Sequence, residues 1–148
     1  MRDDGPVKDI GRGGVLVGMI GSLLTACGLG RRSDVTAVQD ALRGAVEALP
    51  EHLAGKVQFQ DSAHAGTTIS GVLVLAGQDR VQLEQSLLVV LETVSGTYDE
   101  QSGVRTAFVR IEAHPEGDRD TRATTAGVLP PSSDANVTTE DLAARFGG

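Results

Sequence analysis

Thr67 to Ala76 reads TTISGVLVLA, and this stretch decides the fold. It is β-branched and apolar, the composition of a strand with at least one buried face. Its alternation puts Ile69, Gly71, Leu73 and Leu75 on one side. A glycine inside such a run marks a bulge or the close approach of another backbone. Immediately before it, Asp61 to Gly66 is small, polar and turn-forming. Before that, Lys56-Val57-Gln58-Phe59-Gln60 alternates polar and apolar, so Val57 and Phe59 point inward. The two runs form a predicted β-hairpin.

Helices flank this hairpin. Upstream, Ser33 or Asp34 is a capping residue, and Val35, Val38, Leu42, Val46 and Leu49 recur at spacings of three and four. Pro50 closes that helix. Downstream, Gly77-Gln78-Asp79 is a break and a cap. Val81, Leu83, Leu87, Leu88, Leu91 and Val94 then mark the most apolar helix, expected to end near Ser95-Gly96 and to cover the sheet. Thr97 to Gly103 is a polar loop. Val104 to Ala113 is a third strand, with Ala107, Val109 and Ile111 on one face and Phe108, Arg110 and Glu112 on the other. His114 to Asp118 turns, and Arg122 to Leu129 is a weaker fourth strand. Pro130 to Asp134 reads as a linker. Thr138 or Thr139 caps a short last helix in which Leu142 and Phe146 meet at i,i+4. The expected fold is therefore α+β: two helices on one face of a small, mostly antiparallel sheet of three to four strands, in αββαββ order, with a short C-terminal helix.

The residues before this body have a different character. Val15 to Cys27 reads VLVGMIGSLLTAC, an apolar run ending at the only cysteine of the 148 residues. As a helix, Val15 to Ala26 is ~18 Å long, too short for a ~30 Å hydrocarbon core and right for a signal-peptide apolar region. Leu24-Thr25-Ala26-Cys27 resembles the lipobox of bacterial lipoproteins. That resemblance implies cleavage before Cys27, a diacylglyceryl group on its sulfur with or without an N-acyl chain, and a lipid anchor in the cell membrane on its extracytoplasmic face. Residues 1–26 are then a signal peptide and 27–33 the lipidated cysteine and its tether. The α+β domain takes 34–129, and 130–148 hold the linker and last helix. Arg2, Lys8 and Arg12 are balanced by Asp3, Asp4 and Asp9, so the leader lacks a positive amino-terminal region, and no arginine pair precedes the apolar run.

Removal of residues 1–26 leaves the whole formal charge of −7 on the remaining chain, as 10 basic against 17 acidic residues. Such a surface repels nucleic acid and anionic headgroups, so neither is an expected partner, and an acidic body is expected to stand off the bilayer. Aromatics are 3% of residues and Trp is absent, which argues against stacking surfaces for sugars or bases.

No catalytic signature emerges. His52, His64 and His114 fall in predicted turns at no metal-ligand spacing, whereas a metal site needs three or four converging ligands. Glu116-Gly117-Asp118-Arg119-Asp120 lacks the alternation and terminal Glu of a calcium loop. The Gly-x-Ser-x-Gly elbow and the His-Glu-x-x-His motif are missing. Cys27 has no neighbouring His or Asn to activate a thiolate. The order α-β-β-α-β over residues 34–113, with Gly66-Thr67-Thr68-Ile69-Ser70-Gly71-Val72-Leu73, resembles the BON domain of bacterial envelope proteins. This resemblance implies a binding or membrane-associated role without catalytic residues. The expectation is a lipid-anchored, non-catalytic binding or scaffolding protein with an envelope protein as partner and no cofactor or metal. The alternatives are a small exported hydrolase or metal-dependent enzyme using residues such as His64 and His114, or a cytoplasmic regulatory domain if residues 1–26 are not a signal.

Overall fold

A computed structural model of the chain describes residues 34–132 and 136–147. Leu24, Thr25, Ala26 and Cys27 lie outside the described residues. Residues 34–148 form one compact unit by themselves. The elements are α1 (Val35–Glu47), β1 (His52–Gly55), β2 (Gln58–Ser62), β3 (Gly66–Leu75), α2 (Arg80–Asp99), β4 (Phe108–His114), β5 (Ala123–Thr124), α3 (Thr125–Val128) and α4 (Thr139–Phe146). The fold is α+β, as expected.

The central strand is β3. On one edge it pairs antiparallel with β2 (Gln58 opposite Ser70, Ser62 opposite Gly66) and, further along, with β1 (His52 opposite Leu75). On its other edge it pairs with β4 over seven residues, from Thr68 opposite Phe108 to Val74 opposite His114. That last pairing is parallel, so the sheet is mixed, while the other three pairings are antiparallel and the expected mostly antiparallel character holds. The reason for the parallel pair is α2: a 20-residue helix between two adjacent strands carries the chain back to the start of the sheet, so β4 must run with β3. The sheet has five strands rather than three to four. The unforeseen one is β1, whose sequence His-Leu-Ala-Gly shows no alternation because only its backbone is used.

Ile69, Leu73 and Leu75 of β3 and Val109, Ile111 and Ala113 of β4 are buried. They join Val38, Leu42 and Val46 of α1 and Leu83, Leu87, Val90, Leu91 and Val94 of α2 in one cluster. Asp34 caps α1, accepting from the Ala37 N–H at 3.1 Å, and Asp79 caps α2 through the Gln82 N–H at 2.9 Å. Val35 and Val81 fit the apolar stripes by spacing yet stay exposed, each in the first turn of its helix. The second helix runs past Ser95-Gly96 to Asp99. An interior glycine costs about 1 kcal/mol, which burial of Tyr98 in the added turn offsets. Gly71 has the packing role its position implied. A Cβ there would stand 2.6 Å from the Lys56 carbonyl, where the edge strand breaks between β1 and β2.

Further corrections concern the C-terminal third. The expected strand over 122–129 shrinks to β5, because Thr124 caps α3 through the Gly127 N–H at 3.1 Å. Thr125 then takes a strand's place: its hydroxyl accepts from the Ile111 N–H at 2.9 Å and donates to the Ile111 carbonyl at 3.0 Å. The last helix docks on the body. Leu142 is fully buried, Val109 N–H donates to the Val137 carbonyl at 2.8 Å, and Thr139 N–H to the Ala107 carbonyl at 2.9 Å.

The opposite edge is closed by Gln39 of α1. Its amide donates to the Val57 carbonyl at 2.6 Å and accepts from the Phe59 N–H at 2.7 Å, standing in for a neighbouring strand. Replacing Gln39 by Leu leaves both backbone groups unpaired. The expected loss is about 1–3 kcal/mol in urea unfolding, with a lower midpoint and an unchanged slope. Gly71→Val is expected to destabilise by at least as much, through the clash with Lys56.

Candidate binding face

The helices cover one side of the sheet and leave the other open. Alternation puts Thr68, Ser70, Val72 and Val74 of β3 and Phe108, Arg110, Glu112 and His114 of β4 on that open side. Val72 is 58% exposed at its centre. Two shallow depressions meet at this valine. One, of about 530 Å³, is bordered by Lys56, Gln58, Ser70, Arg110 and Glu112. The other, of about 570 Å³, is bordered by Val74, His114, Pro115 and Arg119.

Charge is unevenly divided between the two sides. Helices α1, α2 and α4 with their caps carry ten acidic residues (Asp34, Asp40, Glu47, Asp79, Glu84, Glu92, Asp99, Glu100, Glu140 and Asp141). Only Arg43, Arg80 and Arg145 oppose them. The open face gathers Lys56, Arg110, Arg119 and Arg122 around one carboxylate, Glu112. Glu112 is already engaged: its Oε2 lies 2.9 Å from His114 Nε2 and 3.8 Å from Arg122 Nη1. Arg110 sits 5.9 Å from the Phe108 ring centroid, exposed and without an ion pair among the described residues. At one end the turn after β4 adds Glu116, Asp118 and Asp120. The Asp118 carboxylate is folded back onto the Thr121 hydroxyl (2.7 Å) and the N–H groups of Thr121 and Asp120. The Thr121 hydroxyl is the main cause of a pKa below the usual carboxylate range. The open face with its adjoining turn is therefore balanced, four cations against four carboxylates, while the helices carry an excess of negative charge.

A second cluster lies at the end of β2. The Asp61 side chain is buried, paired with the Arg105 guanidinium and accepting from the Thr67 hydroxyl at 3.1 Å. Tyr98 donates its hydroxyl to the Arg105 carbonyl at 2.6 Å and packs its ring 5.8 Å from that of Phe59. Burial, reinforced by the Asp61 charge and opposed by Arg105, pushes the Tyr98 phenol up to about 12. This arrangement clamps the loop after α2 against the hairpin. The Asp61, Thr67 and Tyr98 side chains are thus each bonded within the protein, which is the pattern of a structural tie.

The histidines considered from sequence do not converge. His52 Nε2 lies 2.7 Å from the Gly55 carbonyl, His64 is exposed in the turn of the hairpin, and His114 is held between Glu112 and the Thr121 carbonyl. Among the described residues no group of three or more His, Cys, Asp or Glu side chains is placed to hold a metal ion. No helix among them is long and apolar enough to cross a membrane. Of the open face, sequence alternation had already turned Arg110 and Glu112 outward. Lys56, Arg119 and Arg122 come from other segments, and no local signal links them.

No family model matches the chain, and neither a curated protein nor a solved structure matches it.

Tyr98 is the only tyrosine and Trp is absent, so tyrosinate absorbance reports this residue alone. The folded chain is expected to titrate near pH 12, and the denatured chain near 10. A raised pKa favours the neutral phenol in the fold. Its stabilising contribution is thus complete below pH 10 and lost as pH rises through about 12. Asp61→Asn is expected to bring the folded midpoint down.

Proposed function

We propose that this is a lipid-anchored protein of the bacterial cell envelope whose folded body is a non-catalytic binding domain. The observation that carries the reading is Leu24-Thr25-Ala26-Cys27 at the end of a short apolar run, with the cysteine unique in the chain. Cleavage before Cys27 and acylation of its sulfur place the domain on the extracytoplasmic face of the cell membrane. A diacylglyceryl group supplies the two chains that stable anchoring needs. Two features of the body support this reading. Its first described helix is capped at Asp34, seven residues after Cys27 in the sequence. One side of its sheet is left uncovered by the helices and offers two depressions that meet at the exposed Val72. The BON-like strand over 66–73 adds weight to a binding role at the envelope, although packing against Lys56 by itself accounts for Gly71.

Mass spectrometry of the protein from its host tests the anchor. The expected mature chain begins at Cys27 and carries the mass of a diacylglyceryl group. It partitions into the detergent phase, and Cys27→Ala abolishes both the mass increment and the cleavage. A chain that begins at Met1 with a free thiol overturns the proposal.

A further inference from the structure

His114 is the last residue of β4, where the sheet hands over to the turn of residues 115–122. Its side chain is 12% exposed. Nδ1 lies 3.1 Å from the Thr121 carbonyl, and Nε2 lies 2.9 Å from Glu112 Oε2. A carbonyl oxygen can only accept, and so can the carboxylate of a glutamate at neutral pH. Both ring nitrogens therefore face acceptors. A neutral imidazole has one N–H and satisfies one of them, whereas the imidazolium donates to both.

The charged groups around the ring are few. Glu112 on β4 faces Nε2, with Arg122 sharing that carboxylate at 3.8 Å. In the turn, Asp118 feels the His114 charge, which adds to the larger effect of the Thr121 and Asp120 hydrogen bonds in lowering its pKa. Arg119 borders the same depression, and Glu116 and Asp120 stand exposed in the turn. From the neighbouring strands the depression receives Gly55, Val72 and Val74, none of which titrates. The bonds from Asp120 and Thr121 to Asp118, and from the Asp118 N–H to the Pro115 carbonyl, run within the turn. The bond from His114 to Thr121 is different, because it ties the far end of the turn back to the strand it left. Pro115, Gly117 and Arg119 of this turn wall the depression of about 570 Å³.

We infer that His114 is a pH-responsive latch: as an imidazolium it ties the turn of residues 115–122 to β4 through both ring nitrogens, and as a neutral imidazole it lets go of Thr121. When the proton leaves to solvent, the remaining N–H stays on Nε2, because the hydrogen bond to a carboxylate is the stronger one. Nδ1 then sets a lone pair against the Thr121 carbonyl, and the wall of the depression loosens. The latch goes beyond the binding reading of the body and does not depend on acylation of Cys27.

The test follows the isotope-labelled full-length protein in non-ionic detergent by NMR from pH about 5 to about 9, across the ordinary imidazole value of about 6.5. The His114 ring nitrogens report the proton count, and the Thr121 carbonyl carbon reports the bond. The Thr121 resonance is expected to move upfield with the midpoint of the His114 ring. The neutral ring is expected to keep its proton on Nε2. Amide order parameters over residues 116–121 are expected to fall from about 0.85 toward about 0.6, while those of β4 stay near the rigid value. His114→Gln is expected to abolish the response, and the His52→Gln, His64→Gln double variant to keep it. A circular-dichroism melt that matches wild type certifies each fold; where His114→Gln fails it, wild type and the double variant carry the test. A Thr121 resonance that stays put while the ring titrates overturns the inference. So does a neutral ring with its proton on Nδ1, a response that survives in His114→Gln or vanishes in the double variant, or a ring that does not titrate in this range.

Discussion

The structure depends on β3 being paired along both of its edges. Its backbone groups are consumed by β1 and β2 on one side and β4 on the other, and its inward side chains Ile69, Leu73 and Leu75 are fully buried. This double commitment fixes the rest. A parallel neighbour on one edge requires a crossover, and α2 supplies it while covering the sheet. An antiparallel neighbour on the other edge needs only a tight turn, which residues 63–65 provide. The edge strand reaches the full length of β3 only by breaking at Lys56 and Val57, and that break is possible because position 71 has no side chain.

A small sheet has two edges to protect, and here neither is closed by another full strand. Gln39 reaches from α1 to satisfy β2, while Thr125 and the 137–139 segment satisfy β4. Side chains can do this because a carboxamide or hydroxyl offers a donor and an acceptor at the spacing of a backbone group. The outcome for function is a sheet that cannot be extended at these points and meets its surroundings through its uncovered face. Chain topology and charge then act together. Helices α1, α2 and α4 carry most of the carboxylates, whereas Lys56 between β1 and β2, Arg110 of β4, and Arg119 and Arg122 of the β4–β5 connection come from three separate segments. Net charge alone describes a uniformly acidic body; the arrangement concentrates the excess negative charge on the helices and leaves the open side balanced.

Much of the body was legible in its residues. The three- and four-residue spacing of Val38, Leu42 and Val46 and of Leu83, Leu87, Leu91 and Val94 located both major helices. The alternation of Val57 and Phe59, of Ile69, Leu73 and Leu75, and of Val109 and Ile111 located three strands with the correct inward faces. Asp34, Asp79 and Thr138 were readable as caps because their side chains bond the backbone three residues on. The misreadings share one cause. His52–Gly55, the turn of helix after Gly96, and the Thr124-Thr125 corner are each held by groups far away in sequence, so their own residues carry no periodic signal.

The sequence by itself determined the class of the fold, the hydrophobic faces of its elements, the short apolar run ending at Cys27, and the lack of any catalytic motif. These are properties of spacing and local chemistry, which a linear chain carries in full. Only the tertiary structure decided that β4 runs parallel to β3, that the last helix docks, and that Lys56, Arg110, Arg119 and Arg122 share one side. Each of these depends on which segments become neighbours, and that is set by the joint burial of surfaces from distant parts of the chain.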